Sequence, residues 1–400
     1  MPSGRSSSIT MPDAYRGREQ AYVKHRLLEA YLEKLFLIIG ISAQGLGVKE
    51  LCYVDCFAGP WLDDSESLDS TSIAVSLRIL ARCRRILVDQ GKNLNFRALY
   101  VEKNPAAFAR LQRYVNEHVQ EGITAQFFQG DFVDLRQKIL DWCGKRSFAF
   151  FFIDPTAWTP VGIKVLKPLL ERPQSEFLIN FMYDFISRAA SMEDSHVAIE
   201  LLLGESPNVE HLHGRERERT LLGIYRRNLK KLIPTTPQWP ARSAHVRVLD
   251  PEKNRPKYHL VYLTSHPRGI VVFMEISEKL DLVQKRVRVQ TQQKRRIEKS
   301  GMLELFGADE LVRNEEGHAS PEEVEAYWRG RLSVEPRSFG WVEFAEMLED
   351  TDWFPGNFQG ALGNLIKAGV VRNLDAPRLR PKRPLHYESG EHLQLIKDAK

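Results

Sequence analysis

Five β-strand-like segments alternate with helical segments between residues 51 and 185, and this alternation restricts the fold more than any other feature. The strand-like segments are LCYVDCFAG (51–59), FRALYVEKN (96–104), TAQFFQGDF (124–132), FAFFFIDP (148–155) and SEFLINFMYDF (175–185). The fourth is a continuous apolar run, as expected for a central parallel strand that is covered on both faces. Strands that alternate with helices predict a doubly wound α/β sheet.

The alternation stops after the fifth strand. Residues 193–232 are predicted to be helical, and HVRVLD (245–250) and KYHLVYLTS (257–265) flank a PEKNRP turn, which predicts a β-hairpin. A terminal hairpin is not typical of dinucleotide dehydrogenases. It fits the Rossmann-like class I methyltransferases, in which the last strand is inserted antiparallel to its neighbours. We therefore predict such a domain over residues 18–300, after a flexible N-terminus at 1–17.

A second domain is predicted over residues 322–400, after an acidic linker at 301–321. Three helical segments (PEEVEAYWRGRL, WVEFAEMLED and GNFQGALGNLIKAG) precede two strand-like ones (VVRNLD and LRPKRPLHYES). This is the outline of a winged helix-turn-helix domain, which can place its third helix in a major groove and its wing on phosphates. Many winged helices mediate only protein contacts, so both interpretations stay open.

The net charge of +5 is unevenly distributed. Residues 285–300 hold seven Lys or Arg and one Glu, a local charge of +6, so the rest of the chain sums to −1. Residues 372–383, where the wing would lie, hold five Lys or Arg and one Asp. Two basic clusters on a near-neutral body predict a polyanionic partner, although a solvated helix face would also explain the first. The predicted nucleic-acid contacts are Lys285, Arg286, Arg288, Lys294, Arg295, Arg296, Arg378, Arg380, Lys382 and Arg383.

Composition excludes several classes of protein. The four cysteines lack the spacing of a zinc site and are too few for a disulfide framework. No apolar run is long enough to span a bilayer, and the N-terminus has no apolar signal region. The pair His211 and His213 has no second cluster of ligands beside it in the sequence, so we expect no metal. A reduced, cytoplasmic protein without membrane contact is predicted.

The first strand ends in Asp55, and a tight turn of Phe57, Ala58 and Gly59 follows it. A small-residue turn at this point lets backbone amides approach a ligand closely. Because no GxGxxG motif is present, a pyrophosphate cradle for NAD or FAD is not expected. S-adenosylmethionine suits the site better, since its amino group could reach Asp55 and its carboxylate needs amide donors or a cation.

The next two strand ends also carry acidic residues. Glu102 could accept both ribose hydroxyls of an adenosine ligand, Asp131 could accept from the adenine amino group, and Phe132 could stack on the ring. Acidic residues at strand ends can instead cap the following helix. Their occurrence at three successive strand ends, on the edge where α/β sheets bind ligands, favours the binding interpretation.

The fourth strand ends in Asp154-Pro155-Thr156-Ala157-Trp158. Methyltransferases that act on base amines commonly have Asp/Asn-Pro-Pro-aromatic here, where the acidic group and a proline carbonyl accept from the amine and the aromatic ring stacks on a flipped base. We therefore predict Asp154, Pro155 and Trp158 as catalytic residues. A proline-initiated helix start with a packing tryptophan is the alternative. Two further residues are candidates. Cys56 could be a nucleophile, but no Pro-Cys pair is present and the position belongs to the cofactor turn. Arg188 could be a phosphate ligand or a partner of Asp184 or Glu193.

Several of these segments together resemble the three-Cys-motif partner proteins (TcmP). They are KHRLLEAYL (24–32), LCYVDCFAGPW (51–61), ALYVEKN (98–104), FFIDP (151–155), LINFMYDFISR (178–188) and LVYLTSHPRGIVVFME (260–275). The resemblance covers about residues 20–300. It implies a bacterial or mobile-element methyltransferase-like protein, encoded beside a protein with a three-cysteine motif and carrying a C-terminal winged helix.

The resemblance also assigns residues. It places Asp55, Phe57 and Gly59 in the first cofactor motif, Glu102 in the second, Asp131 in the third and Asp154-Pro155 in the fourth. By similarity to related base methyltransferases, Lys24 lies near the cofactor carboxylate. Cys56 and Trp61 replace glycines of the first motif, and Thr156-Ala157-Trp158 departs from the fourth.

The sequence thus predicts an S-adenosylmethionine-dependent methyltransferase-like protein that acts on or with nucleic acid, of which DNA is the favoured type. The predicted protein partner is a three-cysteine-motif protein. The alternative is a non-catalytic nucleic-acid-binding scaffold that retains the fold.

Overall fold

The computed structural model describes residues 11–59, 68, 70–253, 255–300, 319–376 and 378–396. Its larger sheet has seven strands: β1 (Glu50–Asp55), β2 (Asn95–Glu102), β3 (Ile123–Gln129), β4 (Ser147–Ile153), β5 (Ser175–Phe181), β6 (Arg242–Leu249) and β7 (Pro256–Thr264). Their spatial order is β3-β2-β1-β4-β5-β7-β6. The first five strands run parallel, and β7 is antiparallel to both β5 and β6. A mixed seven-stranded sheet with this strand order fits a Rossmann-like methyltransferase fold.

Helices cover both faces of this sheet, so the prediction of a doubly wound α/β architecture is confirmed. They are α1 (Glu19–Leu46), α2 (Ser72–Asp89), α3 (Pro105–His118), α4 (Phe132–Cys143), α5 (Ile163–Leu170), α6 (Tyr183–Ala189), α7 (His196–Leu203), α8 (Gly214–Lys230) and α9 (Pro267–Ser300), with short 3₁₀ turns at Asp13–Tyr15, Thr159–Val161 and Glu193–Ser195. One core lies between the sheet and α1, α2, α3 and α9, and a second lies between the opposite face and α4 to α8. None of the described helices is long and apolar enough to cross a membrane.

Residues 11–17 belong to the predicted flexible N-terminus, but they pack on α1. Tyr15 is buried, and its hydroxyl lies 3.1 Å from Nδ1 of His25. Its ring also meets that of Tyr22 edge to face at 5.1 Å. Burial of an aromatic side chain is what fixes this short segment. Residues 1–10, and most of the predicted linker at 301–321, lie outside the described residues.

The C-terminal unit, residues 319–396, contains α10 (Pro321–Arg331), β8 (Arg337–Phe339), α11 (Trp341–Thr351), α12 (Pro355–Lys367), β9 (Val371–Asn373) and β10 (Glu391–Leu395). The strands form an antiparallel sheet in the order β8-β10-β9. Trp328 is fully buried at the centre of the unit and donates from Nε1 to the Phe358 carbonyl at 3.0 Å. A buried tryptophan with a satisfied N–H fixes how the three helices pack.

One strand prediction in this unit was wrong. LRPKRPLHYES (379–389) is not a strand; it belongs to the loop between β9 and β10 (the 374–390 loop, in which residue 377 is not described), and the partner of β9 is β10. Pro381 and Pro384 lack the N–H groups that a strand ladder needs. The loop is held instead by Arg380, which donates to Glu391 at 2.6 Å.

Candidate functional site

Four polar side chains form a row along the carboxyl edge of the large sheet, on the face that α1 covers. This polar row consists of Glu102, Asp55, Asp154 and Asn180, at the ends of β2, β1, β4 and β5, four neighbouring strands. Alternate residues of a strand point to opposite faces. Tyr53, Tyr100, Phe152 and Leu178, each two residues before a member of the row, all lie in the core beneath α1. The row therefore points to that same side.

Asp55 is the most buried member of the row, with no exposed surface. Ser72 Oγ donates to its Oδ2 at 2.6 Å, and the Phe57 amide donates to Oδ1 at 3.2 Å. Burial raises the pKa of this carboxyl to about 6, because desolvation outweighs these hydrogen bonds and the charge of Asp154 adds to it. At neutral pH the Asp55 carboxylate is ionised, which costs free energy in this buried position. A hydrogen-bond donor from a ligand would offset that free energy.

The turn after β1 is tied to both neighbouring strands. The amide of Cys56 donates to the Phe152 carbonyl at 3.0 Å, and that of Ala58 donates to the Val101 carbonyl at 2.8 Å. The Phe57 ring packs on Phe132, with ring centroids 5.0 Å apart. The amides of Phe57 and Ala58, predicted as cofactor contacts, thus hold the shape of the turn, which ends at buried Gly59.

The two remaining predicted cofactor carboxylates lie in different surroundings. Glu102 is 2% exposed, and its Oε1 accepts from the Asn104 amide at 2.5 Å. Burial raises the pKa of Glu102. Asp131 is exposed and is the N-cap of α4, accepting from the Val133 amide at 2.9 Å. The helix-cap interpretation therefore describes Asp131, whereas Glu102 belongs to the polar row.

Lys24 and Asp154, which the sequence assigned to different ligands, form an ion pair. The side chains of Lys24 and Asp154 are 14% and 16% exposed, respectively. Asn180 donates from Nδ2 to Asp154 Oδ1 at 2.8 Å, so both carboxylate oxygens accept a hydrogen bond. The Lys24 ammonium also lies 5.8 Å from the ring of Tyr258, a buried residue of β7. The Lys24 ammonium, which was predicted to lie near the cofactor carboxylate, thus neutralises Asp154.

The residues that follow Asp154 turn toward the second core. Pro155 is buried, and Trp158 is half-buried against the core on the α4–α8 side. The Trp158 carbonyl accepts from the Val161 amide at 3.3 Å, within the 3₁₀ turn. This is the geometry of the packing-tryptophan alternative.

Burial and pairing decide between the alternatives for two other residues, Cys56 and Arg188. Cys56 is buried beside Asp55, and burial raises the pKa of its thiol well above the ordinary value, which argues against a nucleophile. Arg188 pairs with Asp184 at 3.3 Å, one of the alternatives left open. Within the described part of the chain, no group of three or more His, Cys, Asp or Glu side chains could hold a metal ion.

Several cations of the basic segment 285–300 are neutralised within the protein. Lys285 pairs with Asp281 at 3.1 Å, and Arg295 pairs with Glu252 at 2.5 Å. Arg286 and Arg288 are half-buried, whereas Arg296 is exposed. The side chain of Lys294 lies outside the described residues.

The 374–390 loop separates two cavities of about 280 and 290 Å³. Arg378 and Arg380 line the first cavity, and Lys382 lines the second together with Lys367 of α12. Arg380 pairs with Glu391, and Arg383 pairs with Glu388 at 2.5 Å. Arg378 and Lys382 are exposed. Sequence reasoning missed Lys367, whose signal was its place in the last turn of the predicted third helix.

Sequence reasoning also missed two side chains of the carboxyl edge, Ser72 and Asn180. Ser72 opens α2 and has no motif around it that marks a ligand. Asn180 is the last residue but one of β5, whereas the predicted strand-like segment extends to residue 185 and places Asn180 in its middle. No signal in the sequence therefore marked its place at the carboxyl edge.

Comparisons with known proteins give no match to a protein-family model and none to a curated protein by sequence. Solved structures do match. A Legionella pneumophila protein is 12% identical with a TM-score of 0.34, over 67% of this chain and 91% of that one. A Bacillus cereus O-methyltransferase in complex with SAH is 10% identical with a TM-score of 0.28, over 64% and 93%. M. jannaschii TYW2 in complex with AdoMet is 10% identical with a TM-score of 0.25, over 56% and 72%. The strand order, not these similarities, is the basis of the fold assignment.

Proposed function

We propose that this chain is an S-adenosylmethionine-dependent methyltransferase-like protein that acts on or with nucleic acid. The observation that carries the proposal is the polar row. Two of its carboxylates, Asp55 and Glu102, are almost fully buried and have raised pKa values, and Asp154 lies on the next strand of the same edge. Buried carboxylates at the carboxyl edge of an α/β sheet are placed to receive donors from a ligand.

The residues present fit S-adenosylmethionine by their chemistry. Its amino group would donate to Asp55, and its ribose hydroxyls would donate to Glu102, so both buried acceptors would gain partners. Asp131, which is exposed, would border the adenine, whereas Phe132, predicted to stack on the ring, is 2% exposed and packs on Phe57 in the second core. When bound, the cofactor supplies an electrophilic methyl group. Asp154 would accept a hydrogen bond from a target amine and take up the proton that the amine loses.

Calorimetric titration of the full chain with S-adenosylmethionine and S-adenosylhomocysteine tests the cofactor half. We expect both to bind and Asp55→Ala to weaken binding at least tenfold, since the variant removes a charged hydrogen-bond acceptor. Asp134→Ala, at an exposed position in the first turn of α4, is the matched control and should bind like the wild type. Absence of binding by the wild type, or an unchanged affinity in Asp55→Ala, would contradict the proposal.

For the nucleic-acid half, we propose that the C-terminal unit is a winged helix and that DNA lies along α12 and the 374–390 loop. The support is the order of elements, α10-β8-α11-α12-β9-loop-β10, and the exposed cations beside the two cavities. Arg378, Lys382 and Lys367 would contact phosphates. The family resemblance adds a three-cysteine-motif protein as partner.

Fluorescence anisotropy with a labelled DNA duplex, repeated over a salt series, tests this half. Each lost phosphate contact should reduce the slope of log affinity against log salt by about one. We expect this for Lys382→Ala and Arg378→Ala, whereas the exposed Lys164→Ala on α5 should leave the slope unchanged. Equal slopes in all four proteins would place the contacts elsewhere.

A non-catalytic scaffold remains the second candidate, and one observation favours it. Both oxygens of Asp154 are engaged, by Lys24 and Asn180, and the amides of the first turn are bound within the protein. Transfer of a tritiated methyl group to DNA, RNA or the partner protein separates the two candidates. Transfer that Asp154→Ala abolishes would rule out the scaffold, and no transfer to any of the three with the partner present would support it.

A further inference from the structure

Within the described ranges of the chain, the side-chain oxygen of Asn180 accepts no hydrogen bond. The residue is 6% exposed, and its Oδ1 is buried without a partner among the described residues. Native proteins leave few buried polar atoms unpaired, because an unmet acceptor costs the free energy of its desolvation. The carboxyl edge therefore holds an acceptor that lacks a donor.

The contact with Asp154 determines which atom of the Asn180 side-chain amide has no hydrogen-bond partner among the described residues. Asn180 Nδ2 donates to Asp154 Oδ1 at 2.8 Å. A reversed amide would bring its oxygen against the carboxylate, and two acceptors cannot share a hydrogen bond. The unpaired atom is therefore an oxygen, and the donor it lacks must come from outside the described residues.

From this we infer that Asn180 Oδ1 and Asp154 together receive the two N–H bonds of a neutral aromatic amine, as in the exocyclic amino group of a nucleic-acid base. This inference rests on the proposed function and names the substrate group. Oδ1 and Nδ2 are bonded to the same carbon, so Oδ1 lies close enough to Asp154 for both acceptors to serve one amino group. Asn180 is then a substrate-binding residue of the site.

The charge balance favours a neutral amine over an ammonium group. Lys24 forms an ion pair with Asp154, so this pair has no net charge with which to attract a cation. A lysine-like substrate would also bring a second positive charge next to Lys24. A base amine brings two donors and no charge, which matches the two acceptors.

The test is calorimetric titration of the full chain with trinucleotides, in the presence of S-adenosylhomocysteine and at 0.3 M salt to weaken phosphate contacts. Trinucleotides with a central dA, dC or dG are compared with counterparts that carry dI, dU and dI, respectively. In the first two counterparts a carbonyl oxygen replaces the amino group, and in the third the 2-amino group of dG is absent. We expect at least one amino base to bind about tenfold more tightly than its counterpart, the effect of about one hydrogen bond to a buried acceptor.

Two variants assign the preference to Asn180. Asn180→Leu keeps the volume but removes the acceptor, and it should bind both members of the preferred pair equally. Asn228→Leu is the matched control, since Asn228 is also 6% exposed but lies in α8, where its Nδ2 donates to the Leu203 carbonyl at 2.8 Å. This variant should keep the preference. The wild-type comparison stands even if a variant does not fold.

The outcomes distinguish this inference from the proposed function. If S-adenosylhomocysteine does not bind, the proposed function fails. If it binds but every trinucleotide pair binds equally, or no trinucleotide binds, the inference alone is overturned, and a bound water is then the partner of Oδ1. A preference that persists in Asn180→Leu would show that the amine is recognised elsewhere.

Discussion

At the residue scale, neighbouring acidic side chains of one sheet edge have different surroundings. Asp55 has no exposed surface and, among the described residues, no cation beside it, so its charge costs free energy. Asp154 is neutralised by Lys24. Asp131 is exposed and caps a helix. An aspartate that follows a strand thus has a different role at each of these three positions. Asp55 is a buried hydrogen-bond acceptor, Asp154 is an ion-pair partner and Asp131 is a helix cap.

Asp55→Asn should stabilise the protein at neutral pH while weakening cofactor binding. The pKa of Asp55 is about 6 in the folded state and about 4 when unfolded, so its contribution to stability is fully present below pH 4 and is lost as the pH rises through 6. We expect Asp55→Asn to unfold in urea with a free energy about 1–3 kcal/mol higher than the wild type at pH 7.5, and to match it near pH 3.5. A variant less stable than the wild type at pH 7.5 would mean that the hydrogen bonds from Ser72 and Phe57 outweigh burial.

The four cysteines should be unreactive in the native protein. All are buried, and burial raises the pKa of Cys83 and of Cys143 to about 12 and that of Cys56 well above its usual value. Because the thiolate is the reactive form, we expect a thiol reagent such as DTNB to modify none of them at pH 8 within minutes, and all four in denaturant. Cys56→Ala should bind S-adenosylmethionine like the wild type. Fast modification of one native cysteine that blocks cofactor binding would reopen a role for Cys56.

At the element scale, β7 brings a histidine into an ion-pair cluster beneath α8. His259 has no exposed surface, and its Nε2 lies 3.2 Å from Oε1 of Glu218. Arg247 of β6 pairs with the same carboxylate at 2.8 Å, and the His245 ring lies 5.0 Å from that of His259. Burial lowers the pKa of His259 to about 4, more than the Glu218 charge can offset. The imidazole is therefore neutral at pH 7.

His259→Phe should reduce the loss of stability in acid. The unfolded pKa is about 6.5, so the stabilising contribution of neutral His259 is present above pH 6.5 and is lost as the pH falls through 4. Between pH 7 and 4 the wild type should lose about 3 kcal/mol more than His259→Phe. The titration of Asp55 changes the free energy of unfolding in the opposite direction between pH 7 and 4. The comparison therefore needs urea unfolding of both proteins at each pH. Parallel pH profiles would contradict the assigned pKa.

At the scale of the whole molecule, ion pairs and hydrogen bonds connect the C-terminal unit to α8 and β6. Arg226 of α8 donates to both oxygens of Asp352, at 2.8 and 3.0 Å. Glu349 of α11 accepts from Lys230 at 2.7 Å and from the Ser243 amide at 2.9 Å, and it lies 3.6 Å from Arg242. The Arg242 side chain is only 4% exposed. A buried arginine depends on its partner, so this interface is sensitive to single substitutions.

Glu349→Ala should loosen the C-terminal unit. The substitution leaves Arg242 with Glu346, at 3.5 Å, as its only acidic partner among the described residues, and it removes the partner of Lys230. We expect a loss of about 3 kcal/mol in urea unfolding, together with faster proteolytic release of the C-terminal unit. Glu335→Ala, at an exposed position of the same unit, should change stability by less than about 0.5 kcal/mol. Equal effects of the two substitutions would show that the interface does not depend on Glu349.

The sequence by itself determined the alternating α/β order, the acidic strand ends and the two basic clusters. These follow from local patterns: apolar periodicity, glycine turns and runs of charge. The strand prediction failed at residues 379–389, where Pro381 and Pro384 cannot join a strand ladder.

Only the tertiary structure decided which of these residues meet. Lys24 and Asp154 are 130 positions apart, and Asn180 reaches Asp154 because β5 lies beside β4. Which cations are already neutralised also depends on distant partners, such as Glu252 for Arg295. Strand order, burial and ion pairing arise from long-range contacts, and they set the pKa of Asp55 and leave the Asn180 oxygen without a donor in the part of the chain that the structure describes.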